Sequence, residues 1–127
     1  MKIVTWNING IKARIENVVK YLSEAKPDII GLQEIKSIDE AFPTDVFNDL
    51  GYNICVYGQK SFNGVAIASL HPLHDIKRGL PNGEDDEQAR FIEATFAGDK
   101  GPLRFASLYL PNGNPVGTEK FNYKLDW

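Results

Sequence analysis

The stretch MKIVTWNINGIKARIENVVKYLSEAKPDIIGLQE, residues 1–34, decides the fold. Residues 3–6 are mostly apolar and predict a short strand. Residues 13–26 carry apolar side chains at the spacing of one helix face, and Pro27 ends the helix because the residue before a proline disfavours the α conformation. Residues 28–34 begin with a nearly continuous apolar run, which is typical of a buried strand. Strand, helix and strand within about 30 residues predict a βαβ unit with parallel strands.

The remainder of the chain is rich in strand patterns. Runs of apolar residues separated by Gly, Pro, Asn and Asp predict further strands over residues 52–57, 64–70, 76–80, 90–96 and 103–110. Residues 43–50 predict a short helix, and residues 121–127 predict the beginning of another. Apolar and polar side chains alternate over residues 91–96, which indicates an antiparallel strand with one face in solvent. These elements predict the α/β class, with a mixed sheet and flanking helices.

Composition and charge exclude several classes of protein. With 127 residues, 43% of them hydrophobic and 24% charged, the chain has the size and composition of one globular domain. No apolar run approaches the roughly 20 residues of a membrane-spanning helix. The net charge of −3 argues against a nonspecific nucleic-acid coat protein, although a local basic patch can still bind DNA. The single cysteine, Cys55, predicts a core residue in a reducing compartment, and no secretory signal opens the chain, so we expect a cytoplasmic protein.

Polar side chains follow both strands of the βαβ unit. Asn7 and Asn9 come after the first strand, and Gln33 and Glu34 end the second. Parallel strands finish at a common sheet edge, so an amide and a carboxylate should meet there. One carboxylate with an amide nearby suits Mg²⁺, which takes few protein ligands and keeps several waters. The spacing alone favours a simpler interpretation, in which the asparagines only form turns and Glu34 is a solvated strand end.

Several segments, in order along the chain, resemble the exonuclease III family of apurinic/apyrimidinic endonucleases. They are IVTWNINGIKAR (3–14), PDIIGLQEIK (27–36), GY (51–52), GQK (58–60), GVAI (64–67) and LYLPNG (108–113). The similarity runs from Met1 to about Lys124. The LQE run alone would indicate only the wider endonuclease/exonuclease/phosphatase superfamily. Lys36, two residues after Glu34, favours the DNA-repair branch over the phosphoinositide phosphatases and sphingomyelinases.

The resemblance implies a DNase I-like fold, a four-layer α/β-β/α sandwich of two packed mixed sheets with helices outside. The family is longer, so residues 1–127 would be the N-terminal half, about one sheet and its helix layer, without the C-terminal half. The tail at residues 121–127, a helix start that ends on Trp127, is typical of a truncated chain. The family's Asp-x-Asn motif and its late Asp-His pair do not occur here. We therefore expect an inactive isolated chain with an exposed apolar face that favours association or poor solubility.

The resemblance also implies an activity and its residues. The complete protein would be a monomeric, Mg²⁺-dependent phosphodiesterase of DNA base-excision repair, with Mn²⁺ as a second possible metal. It would act on double-stranded DNA, cutting 5′ to abasic sites and trimming 3′ ends. Glu34 and Asn7 would bind the metal, and Asn7 and Tyr109 would be catalytic, with the Tyr109 hydroxyl directed at the phosphate or the attacking water. The expected DNA contacts are Asn9, Lys12, Arg14, Lys36, Lys60 and Asn112.

Two other functions remain open from the sequence. One is a different phosphodiesterase of the superfamily, acting on inositol phosphates or sphingomyelin, and the other is a non-catalytic DNA-binding domain. His71 and His74 are expected in a surface loop, and the acidic run at residues 84–87 in a solvated one. The aromatic residues expected in the core or on sheet faces are Tyr52, Tyr57, Phe91, Phe96 and Phe105.

Overall fold

A computed structural model describes residues 1–127 and contains seven strands and three α-helices. The strands are β1 (Ile3–Asn7), β2 (Ile29–Gln33), β3 (Asn53–Tyr57), β4 (Val65–Ser69), β5 (Leu73–Arg78), β6 (Phe91–Gly98) and β7 (Gly101–Leu108). The helices are α1 (Ile11–Ala25), α2 (Thr44–Asp49) and α3 (Glu119–Asp126), with a 3-10 turn at Asp39–Ala41. None of the helices combines the length and apolar character that crossing a membrane would require.

The predicted βαβ unit is confirmed and forms one side of a four-stranded sheet. This first sheet has the order β1-β2-β4-β3, in which β1 and β2 are parallel and the other pairs are antiparallel. The helix α1 ends at Ala25, and Lys26 then takes a left-handed backbone with φ of 45°. Every residue of β2 is buried, as expected for a central strand covered on both faces.

A second sheet, β5-β6-β7, is antiparallel and packs against the first. Ile92, Ala94 and Phe96 of β6 are fully buried, which confirms the predicted alternation, and they join Ile67 and Cys55 of the first sheet in one apolar cluster. A larger cluster lies on the opposite face of the first sheet, where α1 and α2 cover it. The chain therefore contributes parts of two facing sheets, and the expectation of about one sheet was wrong. Contacts of β6 and β7 with β4 and β2, which are distant in sequence, hold this second layer against the first sheet.

Close approach of the two sheets depends on small and polar residues. At Gly31 of β2, a Cβ atom would lie 3.0 Å from the Ser107 hydroxyl of β7. That hydroxyl donates to the Leu32 carbonyl at 3.1 Å and accepts from the Gln33 side-chain amide at 3.0 Å. Gln33 also bonds Thr5 Oγ1 at 3.0 Å. Gln33 therefore connects the sheets from a buried position and does not point its amide at the predicted site.

The strands β5 and β7 begin earlier than the sequence predicted, β7 at Gly101 instead of residue 103. The strand β5 starts at Leu73, not Ile76, so His74 lies in a strand and the expectation of a loop was wrong for it. The strand is at a sheet edge, almost wholly exposed, and its register with β6 shifts between His74 and Lys77. An exposed, bulged edge strand carries no apolar alternation, so its start is not visible in the sequence.

Both sheets have an open edge on the same side of the molecule. The strands β1 and β7 each pair on one side only, and a groove of about 390 Å³ lies between them. Apolar side chains are exposed along these edges: Ile3 is 54% exposed, Leu103 46% and Leu108 48%. Unpaired backbone groups and exposed leucines favour association with other polypeptide segments. The association expected from the sequence stays a prediction.

Glycine at position 64 should be required where β4 meets the end of β2. Gly64 has a φ of +89°, and an added Cβ would lie only 2.4 Å from Ile35 Cγ1. Gly79 has a similar φ of +84° with nothing within 4 Å, so it is a matched control. We expect Gly79→Ala to cost about 1–2 kcal/mol of unfolding free energy. Gly64→Ala should cost about 1–3 kcal/mol more because it also overpacks the core. Urea unfolding measures both, and equal losses would contradict the clash.

Candidate active site

The chain leaves β2 in an unusual backbone conformation. Glu34 and Lys36 have left-handed φ values of 52° and 51°, a conformation that costs free energy for residues other than glycine. Three backbone hydrogen bonds hold it: Gly10 N–H donates to the Glu34 carbonyl at 2.7 Å, Ile35 N–H to Gly64 at 3.2 Å and Lys36 N–H to Asn63 at 3.0 Å. The loops after β1 and before β4 therefore fix the direction of the Glu34 side chain.

Four polar side chains meet at this sheet edge and are named here the Glu34 cluster: Asn7, Asn9, Glu34 and Lys36. The Asn7 side-chain amide donates to Glu34 Oε1 at 2.8 Å, and its oxygen accepts from the Asn9 backbone N–H at 3.2 Å. Lys36 Nζ donates to the Asn9 side-chain oxygen at 2.6 Å and lies 3.7 Å from Glu34 Oε2. The amide and carboxylate thus meet as the sequence predicted, and the register of β1 with β2 explains why, because Asn7 lies opposite Gln33.

Tyr109 reaches the same edge from the second sheet. It follows β7 directly, and its backbone N–H donates to the Arg90 carbonyl at 2.8 Å. Its phenol lies close enough to the Glu34 carboxylate for each group to shift the pKa of the other. The inter-sheet packing therefore brings together two residues that are 75 positions apart in the sequence.

The electrostatics of the cluster favour an ionised Glu34 beside a protonated Tyr109. Partial burial raises the pKa of Glu34, but the hydrogen bond from Asn7, the nearby Tyr109 phenol and the charge of Lys36 outweigh it, so that pKa lies below its ordinary value. Burial, and then the Glu34 carboxylate, raise the pKa of the Tyr109 phenol. A neutral phenol is a hydrogen-bond donor at neutral pH.

The donors of this site fit a hard cation better than a closed zinc centre. No group of three or more His, Cys, Asp or Glu residues in the chain is placed to hold a metal. The Glu34 carboxylate and the Asn7 amide supply oxygen atoms, and one carboxylate with waters satisfies Mg²⁺. Both histidines lie elsewhere: His71 Nε2 is 3.5 Å from Asp28, at the opposite end of β2 from Glu34, and His74 is in β5.

The other predicted contact residues lie in the helix and loops that follow the first strands and in the segment after β7. Lys12 and Arg14 lie in the first turn of α1, and Lys60 is exposed in the loop between β3 and β4. Asn112, Arg90, Tyr109 and Phe62 line a cavity of about 540 Å³ next to the cluster. The Asn112 side-chain oxygen accepts from the Asn114 backbone N–H at 2.7 Å, which leaves its amide nitrogen free to donate.

Two residues beside Tyr109 were not predicted from the sequence. The Arg90 guanidinium carbon lies 4.9 Å from the centre of the Tyr109 ring and 5.6 Å from that of Tyr123. In the sequence, Arg90 is part of a predicted strand and Tyr123 is part of a short amphipathic tail. Neither residue belongs to a pattern that indicates a functional site. Only the folded chain brings these three residues together.

Comparison with known proteins connects this geometry to a family. The model of the endonuclease/exonuclease/phosphatase family matches residues 4–126. Exodeoxyribonuclease III of Haemophilus influenzae is 40% identical over 113 residues, which are 89% of this chain and 42% of that protein. The chain therefore spans less than half the length of this curated relative.

Solved structures give the same result. The 3′ phosphatase NExo from Neisseria, bound to product DNA hairpin, is 39% identical with a TM-score of 0.94, and the match covers all of this chain and 48% of NExo. An AP endonuclease from Archaeoglobus fulgidus is also 39% identical, with a TM-score of 0.92 and the same coverage. The two sheets and flanking helices thus match half of a DNase I-like fold. The chain belongs to the endonuclease/exonuclease/phosphatase family and is similar to its exonuclease III and AP endonuclease members.

Proposed function

We propose that the chain is the N-terminal half of a Mg²⁺-dependent phosphodiesterase of DNA base-excision repair. Its activities would be those of an abasic-site endonuclease and a 3′-5′ exonuclease. The observation that carries the proposal is the Glu34 carboxylate, oriented by the Asn7 amide at 2.8 Å at the sheet edge where Tyr109 follows β7. The similarity to exodeoxyribonuclease III and to an AP endonuclease supports this substrate class over lipid or inositol phosphates.

Glu34 and Asn7 would hold the divalent cation, either Mg²⁺ or Mn²⁺. When bound, such an ion neutralises charge that gathers on the phosphoryl oxygens as a phosphodiester is cleaved. The protein side chains have separate tasks. The lowered pKa of Glu34 keeps its carboxylate ionised at neutral pH, and the Asn7 amide fixes its orientation. The raised pKa of Tyr109 keeps its proton in place, so the phenol donates to a phosphate oxygen without repelling the anion.

Duplex DNA would lie across the sheet edge that carries the Glu34 cluster. Lys12 and Arg14 in the first turn of α1 and Lys60 in the β3–β4 loop would supply positive charge for phosphate contacts, and Lys36 and Asn9 would supply donors within the cluster. Asn112 lines the neighbouring cavity, which is a candidate place for an extruded sugar. An abasic nucleotide has lost its stacking, so its extrusion costs less than that of an intact base. The product DNA hairpin bound to NExo supports this class of partner.

The second half of the domain would complete the enzyme at the open edges of β1 and β7. The chain covers 48% of the two similar structures and leaves both edges unpaired. The remaining catalytic groups would come from that half, and the complete protein would be a cytoplasmic monomer. Because its site contains a single carboxylate, the isolated chain would not cut DNA, and metal-independent binding to abasic DNA would instead favour a non-catalytic DNA-binding role.

An incision assay tests this function. Residues 1–127 are fused to the second half of the Haemophilus influenzae exodeoxyribonuclease III and incubated with abasic duplex DNA and Mg²⁺. We expect cutting 5′ to the abasic site by the fusion and none by the chain alone. Glu34→Gln should lower kcat/KM by about 100-fold or more. The control Glu24→Gln changes an exposed glutamate of α1 and should have no effect. Robust cutting by the chain alone, or an active Glu34→Gln fusion, would refute the proposal.

The charge of Glu34 should depend on Asn7. Asn7→Ala removes the amide that donates to the carboxylate, so the pKa of Glu34 should rise. A lowered native pKa stabilises the fold above the unfolded pKa, and this contribution disappears as the pH falls through the native pKa. The loss of unfolding free energy in Asn7→Ala should therefore be larger at neutral pH than in acid.

A ¹³C NMR titration of the Glu34 carboxyl group measures the shift. The control is Asn53→Ala, which removes a side-chain amide bonded to the Ser69 carbonyl at 3.3 Å and distant from Glu34. We expect the control to leave the Glu34 pKa unchanged. An equal pKa in Asn7→Ala and the unaltered chain would show that the Asn7 bond does not orient the charge.

A further inference from the structure

Arg90 contacts Tyr109 through both its backbone and its side chain. The Arg90 carbonyl accepts the Tyr109 N–H at 2.8 Å, and Arg90 Nη1 donates to the Tyr109 carbonyl at 3.1 Å. The guanidinium carbon lies 4.9 Å from the centre of the Tyr109 ring. A cation over a ring face is attracted by the electron density of the ring, which favours the χ1 rotamer that keeps the ring against the guanidinium. Backbone and ring of Tyr109 are therefore held by the same residue.

Arg90 is itself fixed by contacts outside the Glu34 cluster. Its Nε donates to Gln88 Oε1 at 2.7 Å, and its guanidinium carbon lies 5.6 Å from the Tyr123 ring of α3. The Tyr123 hydroxyl donates to Asp86 Oδ2 at 2.6 Å, and Asp86 Oδ1 accepts the Gln88 N–H at 3.0 Å. Asp86 thus connects the two residues that hold the guanidinium. Asp86 of the acidic run, the adjacent Gln88 and the last helix thus converge on one side chain.

The contacts of the Arg90 guanidinium differ from those of an arginine that binds a phosphate. A phosphate-binding arginine presents its planar fork outward, whereas Arg90 directs Nε and Nη1 at protein acceptors and lays its plane near two rings. The Tyr109 hydroxyl lies on the axis of the Cβ–Cγ bond, so a flip of the ring leaves it in place, whereas a change of the χ1 rotamer moves it away from Glu34. Arg90 makes no direct bond to Glu34 or Asn7, so its effect on the site passes through Tyr109.

We propose that Arg90 is a positioning residue that holds the Tyr109 side chain at the sheet edge that carries Glu34, with Gln88, Asp86 and Tyr123 holding Arg90 in turn. The role of the phenol at a phosphate rests on the function proposed above, but the positioning is a property of the chain itself. The helix α3 thereby contributes to the site through a relay of packed side chains and not by direct contact.

The first test measures the Tyr109 side chain in the 127-residue chain by NMR. We expect one χ1 rotamer in the unaltered chain and averaging over rotamers in Arg90→Met. Arg78→Met is the matched control, because Arg78 Nε also donates to a backbone carbonyl, that of Val56 at 2.8 Å, in another part of the sheet. The control should leave Tyr109 unchanged. A single Tyr109 rotamer in folded Arg90→Met would overturn the proposal.

The second test is a double-mutant cycle in the fusion protein used for the incision assay. Arg90→Met should lower kcat about 10-fold, with KM and the salt dependence of DNA binding unchanged. In a Tyr109→Phe background, the same change should have no further effect, because the hydroxyl it positions is gone. Equal losses in both backgrounds would overturn the proposal. A change of about 0.9 in the slope of log K for DNA binding against log salt concentration would also overturn it, because that change indicates one lost phosphate contact.

The two tests separate the possible failures. If the unaltered fusion does not cut abasic DNA, the proposed function fails, and the NMR result still decides the positioning role of Arg90. If the fusion cuts and the Arg90 variants behave as a lost phosphate contact, the function stands and the positioning role fails.

Discussion

The hydrogen bond from Asn7 to Glu34 depends on two strands that run parallel and end together. Glu34 is a carboxylate in a left-handed backbone, and three hydrogen bonds from neighbouring loops hold that backbone in place. The Asn7 amide then fixes the side chain at 2.8 Å, and the net result is a pKa below the ordinary value for glutamate. A carboxylate that is ionised and oriented before any ligand arrives loses little freedom on binding a cation, which is the benefit of preorganisation.

The second sheet completes the site because it approaches the first closely. Gly31 leaves room for β7, and Ser107 joins the sheets through bonds to Leu32 and Gln33. This contact sets the position of Tyr109, which follows β7 at the same edge as Glu34. The site therefore combines residues from both layers of the sandwich. The same packing leaves one edge of β1 and one edge of β7 unpaired.

Much of the first sheet could be predicted from the sequence, because its contacts are local. The apolar periodicity of residues 13–26 and the apolar run at residues 28–34 identify the βαβ unit, and its parallel pairing places Asn7 beside Glu34. The facing sheet could not be predicted in this way, since β6 and β7 pack on β4 and β2 through contacts at long sequence separation. For the same reason Arg90 and Tyr123 carried no signal, as their importance lies in what the folded chain places next to them.

The central claim is that the Glu34 carboxylate binds a divalent cation, and paramagnetic broadening by Mn²⁺ tests it most directly. Mn²⁺ is added to the isotope-labelled chain, and the loss of amide signals is mapped by NMR. We expect the broadening to centre on the amide signals of Asn7, Glu34 and Tyr109. In Glu34→Gln this broadening should disappear. Broadening centred on the acidic loop at residues 84–87, or an unchanged pattern in Glu34→Gln, would contradict it.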